Sequence, residues 1–375
     1  MISRTLESKI TGLFLRGKGI VLLGPRQVGK TTLLKSIVEK LGKSSIWYNA
    51  DEPQTRELLE GIGSAQMKMY FGEAEVIVID EAQRIPNIGL TAKIAIETFP
   101  EKQIVLTGSS SLELQSNINE PLTGRKYEFH LFPISFEELV KHSHLHAEMQ
   151  ELENRLLYGS YPEIVTNPAR ARQHLKLLAD SYLFKDLLTY EGIKKPQLLT
   201  KLLQALAYQL GSEVSYTELG NMLSVDKNTI EKYIDLLEKS FVVFRLSALS
   251  RNARNEIKKG KKIYFYDTGI RNALIGNFEP ISTRQDKGAL WENFLVSERL
   301  KLLNYTEFYG QTYFWRTFQQ QEIDYLEEAD GKISAYEFKW KEGTKARVSQ
   351  TFTSSYNMQD FKVINTGNYY EFLMH

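Results

Sequence analysis

The chain has 375 residues, 42% of them apolar and 25% charged, with a formal net charge of +1 and no cysteine. That length and balance point to a globular protein of two to four domains. They exclude disulfides, thiolate metal sites and a global polyanion-binding charge, so any basic surface must be local. No apolar run reaches membrane-spanning length and Met1 to Lys9 has no signal-peptide core, so a cytoplasmic protein without membrane contact is expected.

Residues 1–18 read as a short amphipathic helix. An apolar run, Ile20 to Leu23, then reads as a buried strand, and Leu33, Leu34, Ile37, Val38 and Leu41 repeat at helical spacing. Between them lies Gly24-Pro25-Arg26-Gln27-Val28-Gly29-Lys30-Thr31-Thr32, a complete Walker A pattern in the strand-loop-helix setting it requires. Its glycines let backbone N–H groups close around phosphate oxygens, and the helix N-terminus adds partial positive charge there. Lys30 is expected on the β- and γ-phosphates and the Thr31 hydroxyl on Mg²⁺. Gly24 through Thr32 are therefore candidate residues for ATP or ADP with Mg²⁺.

Ser45–Asn49 reads as a second strand and residues 53–62 as a polar helix. Glu75 to Ile79, ending in Asp80-Glu81, forms a Walker B pattern about fifty residues after the loop. Asp80 is expected to hold the Mg²⁺ shell and Glu81 to orient or deprotonate the attacking water. A further strand from Gln103 ends in small polar residues. There Ser109 or Thr107 is a candidate sensor of the γ-phosphate or the water, the alternative being a plain strand-to-turn boundary. Arg125 precedes a strand from Lys126 to Leu131. It is either an arginine finger or a surface arginine paired with a carboxylate. The alternation through residue 131 predicts a parallel α/β sheet with its ligand at the C-terminal strand ends.

From Ser135 to about Glu191 the pattern is helical, interrupted at Tyr158-Gly-Ser-Tyr-Pro-Glu163, and predicts a helical lid over the nucleotide. Leu198, Leu199, Leu202, Leu203, Leu206 and Leu210 mark one apolar helix face. Ser215 and Glu218 form a capping box for a helix ending at Leu223, and Asp226 can cap a second helix carrying Ile230, Tyr233, Ile234 and Leu237. Lys227, Asn228 and Lys232 lie near the start of that second helix. A strand over 241–246 follows, then Arg251, Arg254, Lys258, Lys259, Lys261 and Lys262 in a segment with a single acid. This predicts a winged helix with a basic wing. It is either a DNA contact or a packing module with a solvated loop.

The C-terminal part begins near Asn277. A helix carries Trp291, Glu292 and Phe294, and strands are predicted over 313–316, 321–327 and 332–340, the last two joined by the turn Asp330-Gly331. With that turn Asp324 faces Glu337, Lys339 lies on the same face and Glu322 faces Lys339. Like charges directly opposite are destabilising. Either a divalent cation is shared by Asp324 and Glu337, with Glu292 approaching and Lys339 positioning water, or the hairpin carries an ordinary Glu322–Lys339 ion pair.

The segments Gly24 to Leu34, Ile79-Asp-Glu-Ala-Gln83 and Leu106-Thr-Gly-Ser-Ser110 resemble the AAA+ superfamily ATPases of bacteria and archaea that carry a conjoined C-terminal domain. Tyr158 to Glu163, Tyr264-Phe-Tyr-Asp-Thr-Gly-Ile270 and Trp291-Glu-Asn-Phe294 match later blocks of that family, with Ser160 where a second glycine is usual. The resemblance implies an α/β fold with a P-loop AAA+-type parallel sheet. It also implies a winged helix and an α+β C-terminal domain similar to restriction endonucleases, with Glu292, Asp324, Glu337 and Lys339 as its constellation. The expected division is 1–134 for the ATPase core, 135–195 for the lid, 196–275 for the winged helix and 276–375 for the last domain. The expected function is ATP hydrolysis coupled to a DNA-facing C-terminal module, in a chain able to form homo-oligomers. The alternatives are a slow nucleotide-dependent switch that binds a protein partner, and an ATP-gated Mg²⁺-dependent nuclease.

Overall fold

The computed structural model describes residues 2–109, 121–182, 196–250 and 260–375. The chain divides into two compact units, residues 1–134 with 239–241, and residues 135–238 with 242–375.

The first unit is built on five strands: β1 Gly19–Leu23, β2 Ser45–Asn49, β3 Val76–Asp80, β4 Gln103–Gly108 and β5 Lys126–His130. They pair in the order β2-β3-β4-β1-β5, every pair parallel. The inner strands β1, β3 and β4 carry the apolar runs Ile20 to Leu23, Val76 to Ile79 and Ile104 to Leu106 and are buried along almost their whole length. A strand covered on both faces cannot alternate in polarity, which is why the sequence shows runs there. The helix Lys30–Leu41 follows β1, buries Leu33, Leu34, Ile37 and Val38, and ends at Gly42 with φ 62°. The helix expected over 53–62 ends at Leu59, and a second helix that was not expected, Ser64–Phe71, follows after Gly61 and Gly63. The helix Ile88–Thr98 connects β3 to β4.

The second unit is built on one seven-stranded mixed sheet. Its strands are β6 Glu213–Val214, β7 Val243–Ala248, β8 Lys261–Phe265, β9 Gln311–Arg316, β10 Glu322–Ala329, β11 Lys332–Phe338 and β12 Met358–Ile364. Their order is β12-β11-β10-β9-β7-β8-β6. The parallel pairing of β7 with β9 joins the strands of the expected wing to the C-terminal strands, so one sheet runs across residues 275 and 276. The β10–β11 hairpin turns at Asp330 and Gly331, both in the left-handed region with φ 51° and 72°. That geometry matches the right-handed twist of the strands and fixes the register, pairing Tyr325 with Tyr336 and Ala329 with Lys332.

Three helices, Pro196–Tyr208, Tyr216–Leu223 and Lys227–Lys239, precede β7. Ser215 Oγ accepts the Glu218 N–H, one half of the predicted capping box, and Asp226 Oδ1 accepts those of Asn228 and Thr229, the predicted cap. The helical stretch expected as a lid belongs to this second unit. Its helix Leu152–Tyr158 meets the helix Thr268–Ile275, where Asn272 Nδ2 donates to the Leu156 and Leu157 carbonyls at 3.0 and 2.9 Å. The Ser160 N–H donates to Asp267 Oδ2 at 2.8 Å. Among the described residues no helix is long and apolar enough to cross a membrane.

Candidate functional site

The loop between β1 and the helix Lys30–Leu41 is shaped by its backbone. Gly24, Gln27 and Gly29 all have positive φ, at 152°, 56° and 97°. A Cβ on Gly24 would sit 2.1 Å from the Leu131 carbonyl oxygen, so only glycine fits where the chain after β5 passes the loop. Lys30 is buried and folds back across the loop, its Nζ donating to the carbonyls of Gly24 at 2.8 Å and Pro25 at 2.9 Å. Arg4, which no motif singled out, braces the same loop. Its guanidinium donates to the carbonyl of Val28 at 2.9 Å and to that of Phe132 at 2.6 Å. Pro25 is buried, Arg26 half-buried and Gln27 exposed; Thr32 faces out from the first helical turn.

Beside the loop, at the C-terminal ends of β3 and β4, a polar chain is assembled. Thr31 Oγ1 donates to Asp80 Oδ2 at 2.7 Å, and the Thr107 hydroxyl donates to Asp80 Oδ1. Thr107 Oγ1 also accepts the Glu81 N–H at 3.2 Å. Glu81 has φ 52°, an uncommon conformation for a residue with a side chain. Its carboxylate oxygen Oε2 accepts from Ser109 Oγ at 3.0 Å and from Gln83 Nε2 at 2.7 Å, and Gln83 Nε2 lies 3.1 Å from Ser109 Oγ. The five residues Lys30, Thr31, Asp80, Glu81 and Ser109 are thus gathered at one end of one sheet. This donor set fits a nucleoside triphosphate with Mg²⁺. The glycine loop leaves backbone N–H groups for phosphate, and a hydroxyl and a carboxylate stand together where the metal shell requires both. Arg125 takes the paired arrangement, its Nε donating to Glu97 Oε1 at 2.7 Å with both side chains well exposed.

The C-terminal carboxylates also come together, but around lysines. Lys262, named from the sequence as a DNA contact, is 1% exposed and is corrected here to a buried structural cation. Its Nζ bonds Glu292 Oε1 at 2.9 Å and Glu322 Oε1 at 2.7 Å. Burial alone would depress its pKa, but the Glu292 and Glu322 carboxylates hold it above the ordinary lysine range. Tyr264 donates its hydroxyl to the same Glu292 oxygen at 2.5 Å. Glu322 therefore pairs with Lys262, whereas Lys339 pairs with Glu337 at 2.7 Å; the expected Glu322–Lys339 bridge is not formed. Asp324 Oδ2 accepts the Phe338 N–H at 2.7 Å. Burial, then the charge of Glu292, push the Asp324 carboxyl up to about 6. Among the described residues no three His, Cys, Asp or Glu side chains converge on a metal position. Lys262 and Lys339 pair with Glu292, Glu322 and Glu337, whereas Asp324 accepts only the Phe338 N–H among the described residues.

Of the other basic residues, Lys227 and Lys232 are exposed on the helix Lys227–Lys239, whose opposite face buries Ile230, Tyr233, Ile234, Leu236 and Leu237. Lys261 is half-buried on β8. Arg251, Arg254, Lys258 and Lys259 lie outside the described residues.

Residues 16–140 match the model of the AAA domain family. Residues 149–280 match a domain of unknown function, DUF8612, and residues 287–372 match another, DUF4143. The chain is 27% identical over 346 residues to an uncharacterised protein of Mycobacterium tuberculosis, covering 90% of this chain and 73% of that one. It is 23% identical over 348 residues to one of Methanocaldococcus jannaschii, covering 87% and 75%. Among solved structures, a Walker-type ATPase of Pyrococcus abyssi is similar with a TM-score of 0.49 at 17% identity, over 73% of this chain and 96% of that one.

Proposed function

We propose that this chain, which carries an AAA-type P-loop ATPase domain over residues 16–140 and a DUF4143 domain over residues 287–372, hydrolyses ATP and couples its nucleotide state to a DNA-facing second unit. The observation that carries hydrolysis is the hydrogen-bonded set of Thr31, Asp80, Thr107, Glu81 and Ser109 beside the glycine loop. The loop from Gly24 to Thr32 holds the phosphates through the backbone N–H groups of its residues other than Pro25, and Lys30 exchanges its two loop carbonyls for phosphate oxygens. Thr31 and Asp80 would hold Mg²⁺, which would supply positive charge against the phosphates. Glu81 takes up the proton of the attacking water, and Ser109 fixes Glu81. Lys30→Ala should abolish ATP binding. Glu81→Gln should leave binding intact and slow turnover by about two to four orders of magnitude, the usual contribution of a positioned base. Wild-type turnover in Glu81→Gln would remove Glu81 from the chemistry.

The DNA-facing reading is supported by the helix-turn-helix arrangement of Tyr216–Leu223 and Lys227–Lys239, with Lys227 and Lys232 exposed at the start of the second helix. The measurement is ATP turnover with and without duplex, branched and single-stranded DNA. Stimulation by any of these supports coupling. Turnover indifferent to all three favours a switch that answers to a protein partner.

A further inference from the structure

We infer that Gln83 is a positioning residue for Glu81. Its amide group pins one oxygen of the Glu81 carboxylate, so that the other is presented to the attacking water. The inference rests on the hydrolytic reading of Glu81.

Gln83 is 8% exposed, and its amide nitrogen gives both nearby acceptors a donor, Glu81 Oε2 at 2.7 Å and Ser109 Oγ at 3.1 Å. Its amide oxygen is buried with no hydrogen-bond partner among the described residues. A buried unpaired acceptor is destabilising, and the native fold rarely tolerates one. The amide is nevertheless oriented with its nitrogen on Glu81, the only orientation in which it donates to a carboxylate. Stability is given up to aim this donor, which is the pattern expected of a group retained for a site rather than for the core.

The second observation is where the donors land. Gln83 and Ser109 both bond Oε2 of Glu81, and among the described residues none bonds its Oε1. Two donors on one oxygen fix the carboxylate plane and leave the second oxygen as the open acceptor. The third is the backbone of Glu81, held with φ 52° by its N–H bond to Thr107, so the side chain starts from a constrained position. Gln83 is the second residue of the short 3-10 helix Ala82–Arg84, which follows Glu81 directly and brings its amide back onto the Glu81 carboxylate.

The test is Gln83→Met, which keeps the length and removes both the donor and the orphaned acceptor. The expected result is a kcat for ATP lowered by about 10- to 100-fold, the effect of a small misplacement of a reacting group, with KM and nucleotide affinity unchanged. Thermal stability should be equal to wild type or higher, because the unpaired oxygen is gone. In the Glu81→Gln background, Gln83→Met should lower turnover no further, since there is no carboxylate left to position. Gln83→Asn, which keeps the amide but not the reach, should not rescue kcat. A kcat within twofold of wild type, or a loss of stability with kcat intact, would make Gln83 a structural residue and overturn the inference. An equal loss of kcat in the Glu81→Gln background would do the same. If wild-type protein itself fails to hydrolyse ATP, it is the hydrolytic reading that falls, and nucleotide binding by the Lys30→Ala comparison tells the two failures apart.

Discussion

Lys262 is the residue that most changes the meaning of its surroundings. A lysine in a run of basic residues reads as a surface charge, yet here it is buried between Glu292 and Glu322. Removing one partner of a buried ion pair leaves an uncompensated charge, at a cost of about 3–5 kcal/mol. Lys262→Met should therefore lower the unfolding midpoint in denaturant markedly, and adding Glu292→Gln should recover part of the loss. An unaltered midpoint in the single variant would mean that solvent reaches this pair. Asp324 gives a second reading of the same cluster, which also contains Glu292, Glu322, Glu337, Lys262 and Lys339. Its carboxyl is raised to about 6, whereas an unfolded aspartate titrates near 3.9. Between those values the folded state binds more protons than the unfolded one, so this group makes stability fall as pH rises through about 4 to 6. Asp286 works in the opposite sense. Despite its partial burial, Arg284 and Arg271 hold it to about 2, so its contribution is present above about pH 4 and lost below. Asp324→Asn keeps an acceptor for the Phe338 N–H and removes the charge. It should raise the melting temperature at pH 8 and change it little at about pH 3.5, below both titrations. A shift equal at both pH values would place the Asp324 titration elsewhere.

At the scale of elements, what the sequence revealed was what is locally determined. The phosphate loop was legible because its strand, glycines and helix are consecutive, and the Ser215 and Asp226 caps because a cap acts within three residues. The β10–β11 register was legible because Asp330-Gly331 admits one tight turn. The long-range pairings were not. β12 reads as a mixed polar stretch, Met358-Gln-Asp-Phe-Lys-Val-Ile364, and lies parallel to β11 through a connection that leaves no periodic signal. β7 pairs with β9 across more than sixty residues of chain, which is how Lys262 on the neighbouring strand β8 reaches Glu322. The Ile79 to Gln83 segment was read for its two carboxylates. The part played by Gln83 became visible only when its unpaired oxygen and its bond to Glu81 could be seen together. The loop also offers an element-level test. Because a Cβ at position 24 meets the Leu131 carbonyl at 2.1 Å, Gly24→Ala must displace either the loop or the chain leaving β5. Nucleotide binding measured by calorimetry should be lost or reduced more than tenfold, while Gly42→Ala, at a helix end with open space around it, should leave affinity unchanged.

For the molecule as a whole, a net charge of +1 makes any attraction to DNA local. The whole-chain field contributes little steering, so affinity must come from a few cations placed on phosphates. Lys227 and Lys232 are exposed at the start of a helix whose other face is buried, where a second helix of a helix-turn-helix meets the groove. Each phosphate contact contributes about one unit to the slope of log affinity against log salt. Lys227→Ala and Lys232→Ala should each flatten that slope by about one and weaken binding similarly on unrelated sequences. Lys262→Met, read at a temperature where the variant is folded, should leave the slope unchanged, because a cation already neutralised by Glu292 and Glu322 has no counterion-releasing phosphate to meet. The two outcomes separate a contact from a structural charge among the basic residues of the second unit. A slope unchanged by Lys227→Ala and Lys232→Ala would remove this helix from DNA recognition. Loss of slope in Lys262→Met would instead require the carboxylate cluster to open when DNA binds, and the Asp324 titration would then have to shift in the presence of DNA.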